Sequence, residues 1–423
     1  MTSSSLLRQH ISNNADELVI FGADNFAQFP RRDCSIQSKC ERALAGASEN
    51  DVVVLRGRLD NQYYTWLRSH DLGPGHVVEY KESSRDLSLS ERIVKHPEPI
   101  LEIIEETGRK PIYVPWYSGK MEAEAAARIG AELFGATGAG TLKYNDKSEF
   151  KTICQELDIP VVTGHSFTMN PEDSTNASDM VRVINLYLRS HKQVIIRGTV
   201  GESGMSLYKT DGKDLPELYE KIAFTGEKMV IIEPFLGVIS SPGDQWVIDR
   251  SGDIGHLGIT DQICERGMVH VGTQYGLPQS ARLKKYISQT SQKIVQHMTE
   301  YGYRGVLGID YIVTVDGIFP VENNARFNGS TYVRLIVDNL EKKGEMVDYW
   351  KFIKIKTNPC SFVELIGRLQ DIIYDGTKKN SVFPYNCNAL ENTGDFAVIL
   401  LAEDFNHLVH LEKLLGERGV KRN

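Results

Sequence analysis

Residues 321–331, VENNARFNGST, begin like a strand and then present Glu322, Asn323, Asn324, Arg326 and Asn328 in quick succession. Strands avoid Asn and seldom hold so many groups that demand partners. Just upstream, DYIVTVDGIFPVE contributes Asp310. A three-residue loop Val315-Asp316-Gly317, with Gly317 at the left-handed position, would face Thr314 with Ile318 and Asp310 with Glu322. Side chains alternate along a strand, so Glu322, Asn324 and Arg326 then share one face, beside Asp310. A two-residue Asp316-Gly317 turn would instead oppose Asp310 to Asn323. Carboxylates directly opposed across a sheet repel, and a hard divalent cation removes that cost. Mg2+ favours one or two carboxylates together with the phosphates of a nucleotide. Asp310, Glu322 and Asn324 are therefore candidate metal ligands, and Arg326 offers a planar fork for a carboxylate or phosphate beside them. An Asp/Glu/Arg ion-pair network at a sheet edge would use the same residues.

Other pieces suit a phosphate. VIIRGTVGESGMSLYK (194–209) sets glycines between two strand-like runs, where backbone N–H groups can approach an anion, and Arg197 ends the first run. It lacks the P-loop spacing, and a flexible hairpin would look alike. Lys147 stands in the first turn of its helix, where the dipole disfavours a cation unless an anion is near; a solvated surface lysine is the plainer reading. IIEPFL (231–236) is an apolar strand ending in Glu233, readable as an exposed charge at a strand end. In FGATGAGT (134–141) the glycines are misordered for a dinucleotide fingerprint.

These residues need elements to hold them. ELVIFG (17–22), DVVVLRG (51–57), HVVEY (76–80) and KPIYVPW (110–116) read as short buried strands, and MEAEAAARIGAELFG (121–135) as an amphipathic helix closed by Gly135. That βα alternation predicts a small, mostly parallel sheet. DKSEFKTICQELDIP (146–160) predicts a helix capped by Asp146 and stopped by Pro160. The runs 193–198, 205–210, 229–236, 245–262 and 307–324 read as antiparallel strands. A last strand–helix unit, 394–419, suggests a small appended domain.

The composition is that of an ordinary soluble globular protein, and 423 residues suggest roughly two to four domains. A net charge of -8 argues against nucleic-acid binding. There is no secretory signal at the start and no apolar run near the length of a membrane span. Six scattered cysteines without a C-x-x-C pair read as reduced thiols, so the expected compartment is the cytoplasm.

Taken in order, the DK lysine, the strand arginine, the Gly-rich hairpin, Glu-Pro-Phe-Leu and GIDYIV…GIFPVENNARFNGST resemble the ATP-grasp superfamily over roughly residues 110–340. The resemblance implies an α/β N-terminal (pre-ATP-grasp) domain (1–140), an α+β ATP-grasp fold in two halves (141–240 and 241–345) and a small α+β C-terminal extension (346–423). It implies ATP as cofactor with one or two Mg2+, Mn2+ being a substitute. Lys147 and Arg197 would contact the phosphates, and Gly201, Ser203 and Gly204 would cover them. Glu233, Phe235 and Leu236 would belong to the adenine hinge. Asp310, Glu322 and Asn324 would hold the metal, and Arg326, with Arg197, would serve catalysis at the acyl phosphate. Arg197 departs from the family's usual lysine. WYSGKMEAEAAARIGAELFGATGAGTLKYNDK and the tail resemble peptide ligases of pheganomycin-type pathways and the butirosin-pathway carrier-protein ligase. The implied partners are small carboxylate and amine substrates, amino acids or peptides, with an acyl carrier protein as the alternative acceptor, and no nucleic acid or membrane. A nucleotide-binding regulatory module is the reading from another class. Substrate-selecting side chains are expected on 237–245, 260–285 and the tail; the oligomeric state stays open, a homodimer included.

Overall fold

Unbroken runs of β-branched and aromatic residues suit strands buried on both faces. In the computed structural model of the chain, which describes residues 6–24, 40–81, 87–136, 139–199, 206–265, 269–345 and 347–422, four such runs form β1 (Glu17–Gly22), β2 (Val52–Arg56), β3 (His76–Tyr80) and β4 (Lys110–Pro115). With β5 (Glu132–Leu133) they make a parallel sheet in the order β3-β2-β1-β4-β5. The helix expected over 121–135 is shorter, Lys120–Arg128. Gly130 takes a φ of +65°, which breaks the helix, and Leu133 pairs with Tyr113 instead.

A second sheet is antiparallel, with β6 (His165–Thr168), β7 (Val194–Gly198), β8 (Leu207–Thr210) and β9 (Met229–Pro234) in the order β6-β9-β7-β8. Helices Asn176–Leu188 and Leu215–Phe224 pack on it through Met180, Ile184 and Ile222, against Val194, Ile196, Val230 and Ile232.

The third sheet takes the rest: β10 (Val238–Ser240), β11 (Pro242–Ile248), β12 (Ile254–Glu265), β13 (Val269–Tyr275), β14 (Gly305–Thr314), β15 (Ile318–Asn324), β16 (Tyr349–Lys356), β17 (Ser381–Tyr385), β18 (Asp395–Ala402) and β19 (Lys421–Arg422). Its spine runs β10-β14-β11-β12-β13-β16-β18-β17, with β15 on β14 and β19 on β16. The helix Ala281–Glu300 buries Ile287, Ile294 and Met298 in the cluster that holds Leu307 and Ile309 of β14.

The tail is not set apart, contrary to the suggestion of an appended domain. Thr273 of β13 pairs with Phe352 of β16, so residues 349–402 prolong the sheet that carries Asp310 and Glu322. One apolar cluster joins Val19, Val53 and Trp116 of the N-terminal part to Trp350, Tyr385 and Leu400 of the tail. The Tyr63 hydroxyl donates to the Pro384 carbonyl at 3.2 Å. No helix among the described residues is long and apolar enough to cross a membrane.

A buried acid marks the same junction. Glu41 accepts from the Asn388 N–H at 2.8 Å, and burial pushes its carboxyl up to about 8 despite that donor. In the unfolded chain it titrates as an ordinary glutamate, so the native state holds a proton that the unfolded state has lost. Stability attributable to this group therefore falls as pH rises from about 4.5 to 8, with a limiting slope near ~1.4 kcal/mol per unit. Glu41→Gln should match the natural chain in urea unfolding at pH 4.5 and exceed it increasingly towards pH 8; a pH-independent difference would mean that the group titrates normally.

Candidate active site

Asp310 and Glu322 are opposed across β14 and β15, although the turn that sets them is not the expected one. The ladder starts at Val313 and Ile318, so Thr314 does not face Ile318. A bulge that leaves Val321 without a partner restores the offset before Glu322. The carbonyl of Val321 accepts from Arg197 Nη1 at 3.0 Å.

Three further groups converge on the pair. Asp146 caps the helix Lys147–Glu156 by accepting from the N–H groups of Ser148 and Glu149. The Lys147 N–H is tied to the Thr199 carbonyl at 2.9 Å. Lys147 is only 7% exposed, not a solvated surface lysine, and its Nζ lies 3.1 Å from Glu322 Oε1. Asn324 Nδ2 donates to Asp310 Oδ2 at 2.8 Å. Arg326 is buried, bonded through Nη1 to Asn145 Oδ1 and stacked 5.3 Å over the Trp116 ring. The Phe327 N–H donates to the Trp116 carbonyl at 2.9 Å, so the end of β4 braces this loop. Asn323 points the other way, with Nδ2 on the Tyr144 carbonyl at 3.1 Å.

Glu233 is buried rather than an exposed strand-end charge. Lys151 Nζ stands 2.5 Å from Oε1, and Arg197 Nη2 stands 2.7 Å from Oε2. Arg197 thus spans from β9 of the small sheet to the bulge of the large one. Phe235 and Leu236 follow β9 half-buried. The Phe235 N–H is engaged by the Gln193 carbonyl at 2.9 Å, and Lys209 Nζ sits 4.6 Å over its ring. Gly201, Ser203 and Gly204 lie outside the described residues.

The two acids are electrostatically unlike. Burial first, and the Glu322 charge second, push Asp310 up to about 7, against the amides of Gln262 and Asn324 and the Arg326 charge. Burial also raises Glu322, but Lys147, Arg326 and Arg197 together hold it below the usual glutamate range. A cation between them would relieve the repulsion that lifts Asp310. The backbone leaves room beside it: a Cβ on Gly243 would stand 3.2 Å from Asp310 Oδ1. Among the described residues no three His, Cys, Asp or Glu side chains gather as a metal site. Two carboxylates and an amide oxygen suit Mg2+ completed by phosphate oxygens, whereas an all-protein cage is missing there.

Lys151, Asn145 and Trp116 were not singled out in the sequence. Lys151 carries a readable signal, one helical turn beyond Lys147 and hence on the same face. Asn145 and Trp116 are brought in only by the fold. Lys151→Met leaves Glu233 with Arg197 alone and should destabilise the protein by about 1–3 kcal/mol in urea unfolding; an unchanged midpoint would mean that the contact contributes nothing net.

No family model matches the chain. It is 29% identical over 173 residues to the [butirosin acyl-carrier protein]–L-glutamate ligase of Niallia circulans, a match covering 39% of this chain and 40% of that one. Its structure resembles biotin carboxylase of Campylobacter jejuni in complex with an ATP analogue, with a TM-score of 0.64 and 15% identity over 95% of this chain and 91% of that one. It also resembles the biotin carboxylase domain of Hydrogenobacter thermophilus 2-oxoglutarate carboxylase, solved with MgADP and bicarbonate, with a TM-score of 0.59 and 13% identity over 95% and 89% of the two chains.

Proposed function

We propose that this chain is a member of the ATP-grasp superfamily and a cytoplasmic ATP- and Mg2+-dependent ligase joining a carboxylate to an amine. A substrate carboxylate oxygen attacks the γ-phosphorus of ATP and ADP leaves, giving an acyl phosphate. The amine nitrogen then attacks the acyl carbon, the C–O bond to phosphate breaks, and an amide, inorganic phosphate and a proton result. Such chemistry asks for positioning and charge neutralisation and needs no protein nucleophile.

The observation that carries this reading is the opposed Asp310–Glu322 pair with Lys147 against it. Mg2+, when bound by Asp310, Glu322 and Asn324, would neutralise the phosphate charge. Lys147 exchanges Glu322 for a phosphate oxygen, and Arg197, held between Glu233 and the Val321 carbonyl, adds charge beside it. Arg326, fixed by Asn145 and Trp116, holds the acyl phosphate. Gly201, Ser203 and Gly204 cover the phosphates and keep water from the acyl phosphate. With the Phe235 N–H occupied, Leu236 supplies the hinge donor to adenine. In this reading residues 1–140, 141–240, 241–345 and 346–423 are the working parts.

Amino acids or short peptides are the proposed substrates. The ligase of Niallia circulans, whose name specifies an acyl-carrier protein and L-glutamate, favours a second reading in which the acceptor is carried on a protein. A regulatory module without turnover is disfavoured, because sensing a nucleotide gives no reason to brace Arg326 beside the metal pair. Asp310→Asn and Glu322→Gln should each lower amine-dependent ADP release by roughly 100-fold or more. Near-natural rates in both would remove the metal assignment of Asp310 and Glu322, no amine-dependent ADP release from the natural chain would remove the ligase reading, and a phosphopantetheinylated carrier added to the same assay separates the two acceptors.

A further inference from the structure

The helix Lys147–Glu156 carries two lysines one turn apart, on the same face. They serve different acids. Lys147 meets Glu322 of the large sheet, whereas Lys151 reaches Glu233 on β9 of the small sheet. Lys151 Nζ stands 2.5 Å from Oε1 of that glutamate, and Arg197 Nη2 stands 2.7 Å from Oε2. The chain leaves room for the first contact: a Cβ on Gly164 would collide with Glu233 Cγ and stand 2.7 Å from Lys151 Nζ. The three side chains are nearly enclosed, with exposures of 12% for Lys151, 5% for Glu233 and 10% for Arg197.

The charges in this group do not balance. Two cations face one carboxylate, and among the described residues neither Lys151 nor Arg197 has a second acid. Arg197 by itself would neutralise Glu233. Taking a further cation out of water against an acid already paired is unfavourable without another anion to meet it. The surplus sits where it can act. Arg197 donates through Nη1 to the Val321 carbonyl at 3.0 Å, one residue before Glu322. Against the lift of burial, and after Lys147 and Arg326, its charge helps to hold Glu322 below the usual glutamate range. Its Nε is buried and, among the described residues, has no acceptor. A guanidinium locked to a carboxylate alone is a neutral pair and draws a phosphate only weakly. With Lys151 on the other carboxylate oxygen, the same guanidinium keeps its place and regains its positive field.

We propose that Lys151 is a positioning residue of the nucleotide site. It takes up one oxygen of Glu233, so that Arg197 stays fixed by that glutamate yet presents a full positive charge to the phosphates. Lys151 itself does not touch them. This deepens the ligase reading and rests on it, because the anion that answers the surplus charge is the polyphosphate of ATP or ADP.

The test is calorimetric titration of the full chain with MgADP. Lys151→Met and Lys151→Gln should each weaken binding roughly tenfold or more, the second showing that a hydrogen bond without charge does not suffice. Lys151→Arg should stay within about threefold of the natural protein. The deciding variant combines Lys151→Met with Glu233→Gln. It restores no contact, but it leaves Arg197 beside a neutral amide with its charge unopposed, and affinity should return to within about threefold of natural. Natural affinity in both Lys151→Met and Lys151→Gln overturns the role. So does a double variant that binds no better than Lys151→Met, because a purely structural lysine is not replaced by neutralising its partner. If Lys151→Met melts early, Lys151→Gln, alone and with Glu233→Gln, gives the same comparison. Failure of the natural protein to bind MgADP takes the ligase reading down with this role, whereas MgADP binding indifferent to Lys151 removes the role alone.

Discussion

Two carboxyl groups facing one another in a half-buried sheet repel strongly, and the local structure is organised around making that tolerable. Lys147 meets Glu322 directly, and Arg326 and Arg197 add positive potential from either side. The relief is unequal: Glu322 is kept ionised while Asp310 is pushed towards neutrality. A site poised in this way favours any arrangement that brings positive charge between the acids, because burial magnifies both the repulsion and its cure.

Each cation must in turn be held. Lys147 depends on the Asp146 cap and on the Thr199 carbonyl at the end of β7. Arg197 depends on Glu233, which is shared with Lys151, and on the carbonyl that the bulge at Val321 exposes. Arg326 depends on Asn145 and on the Trp116 ring at the end of β4. All three sheets thus contribute to one electrostatic balance. A disturbance in the small sheet or the N-terminal sheet reaches the acids through one or two contacts, without any displacement of β14.

The parallel strands were legible because they are short unbroken apolar runs, and the helix at 147–156 because Asp146 announces it. The pairing of Asp310 with Glu322 was legible in outcome but not in route. A one-residue error in the turn was cancelled by a bulge that alternation cannot reveal. Glu233 and Lys147 looked like surface charges, because burial is a property of what packs over a residue, and that comes from distant parts of the chain. The helix Ala281–Glu300 escaped notice since its apolar positions are diluted by Lys, Gln and Thr on the exposed side. The tail resembled a separate unit for a related reason: its strand–helix pattern is complete locally, and only the ladder between β13 and β16 joins it to the rest.

The shared apolar cluster has a consequence for how the protein comes into being. Tyr63 and Pro384 are bonded although 321 residues separate them, and the core around them draws on both ends of the chain. Contacts of such long range close slowly, after local pieces have formed. During synthesis the early parallel sheet must wait, with one greasy flank uncovered, until β17 and β18 emerge from the ribosome. A polypeptide halted before residue 380 would keep every group of the acid pair and still lack the cover of its own interior.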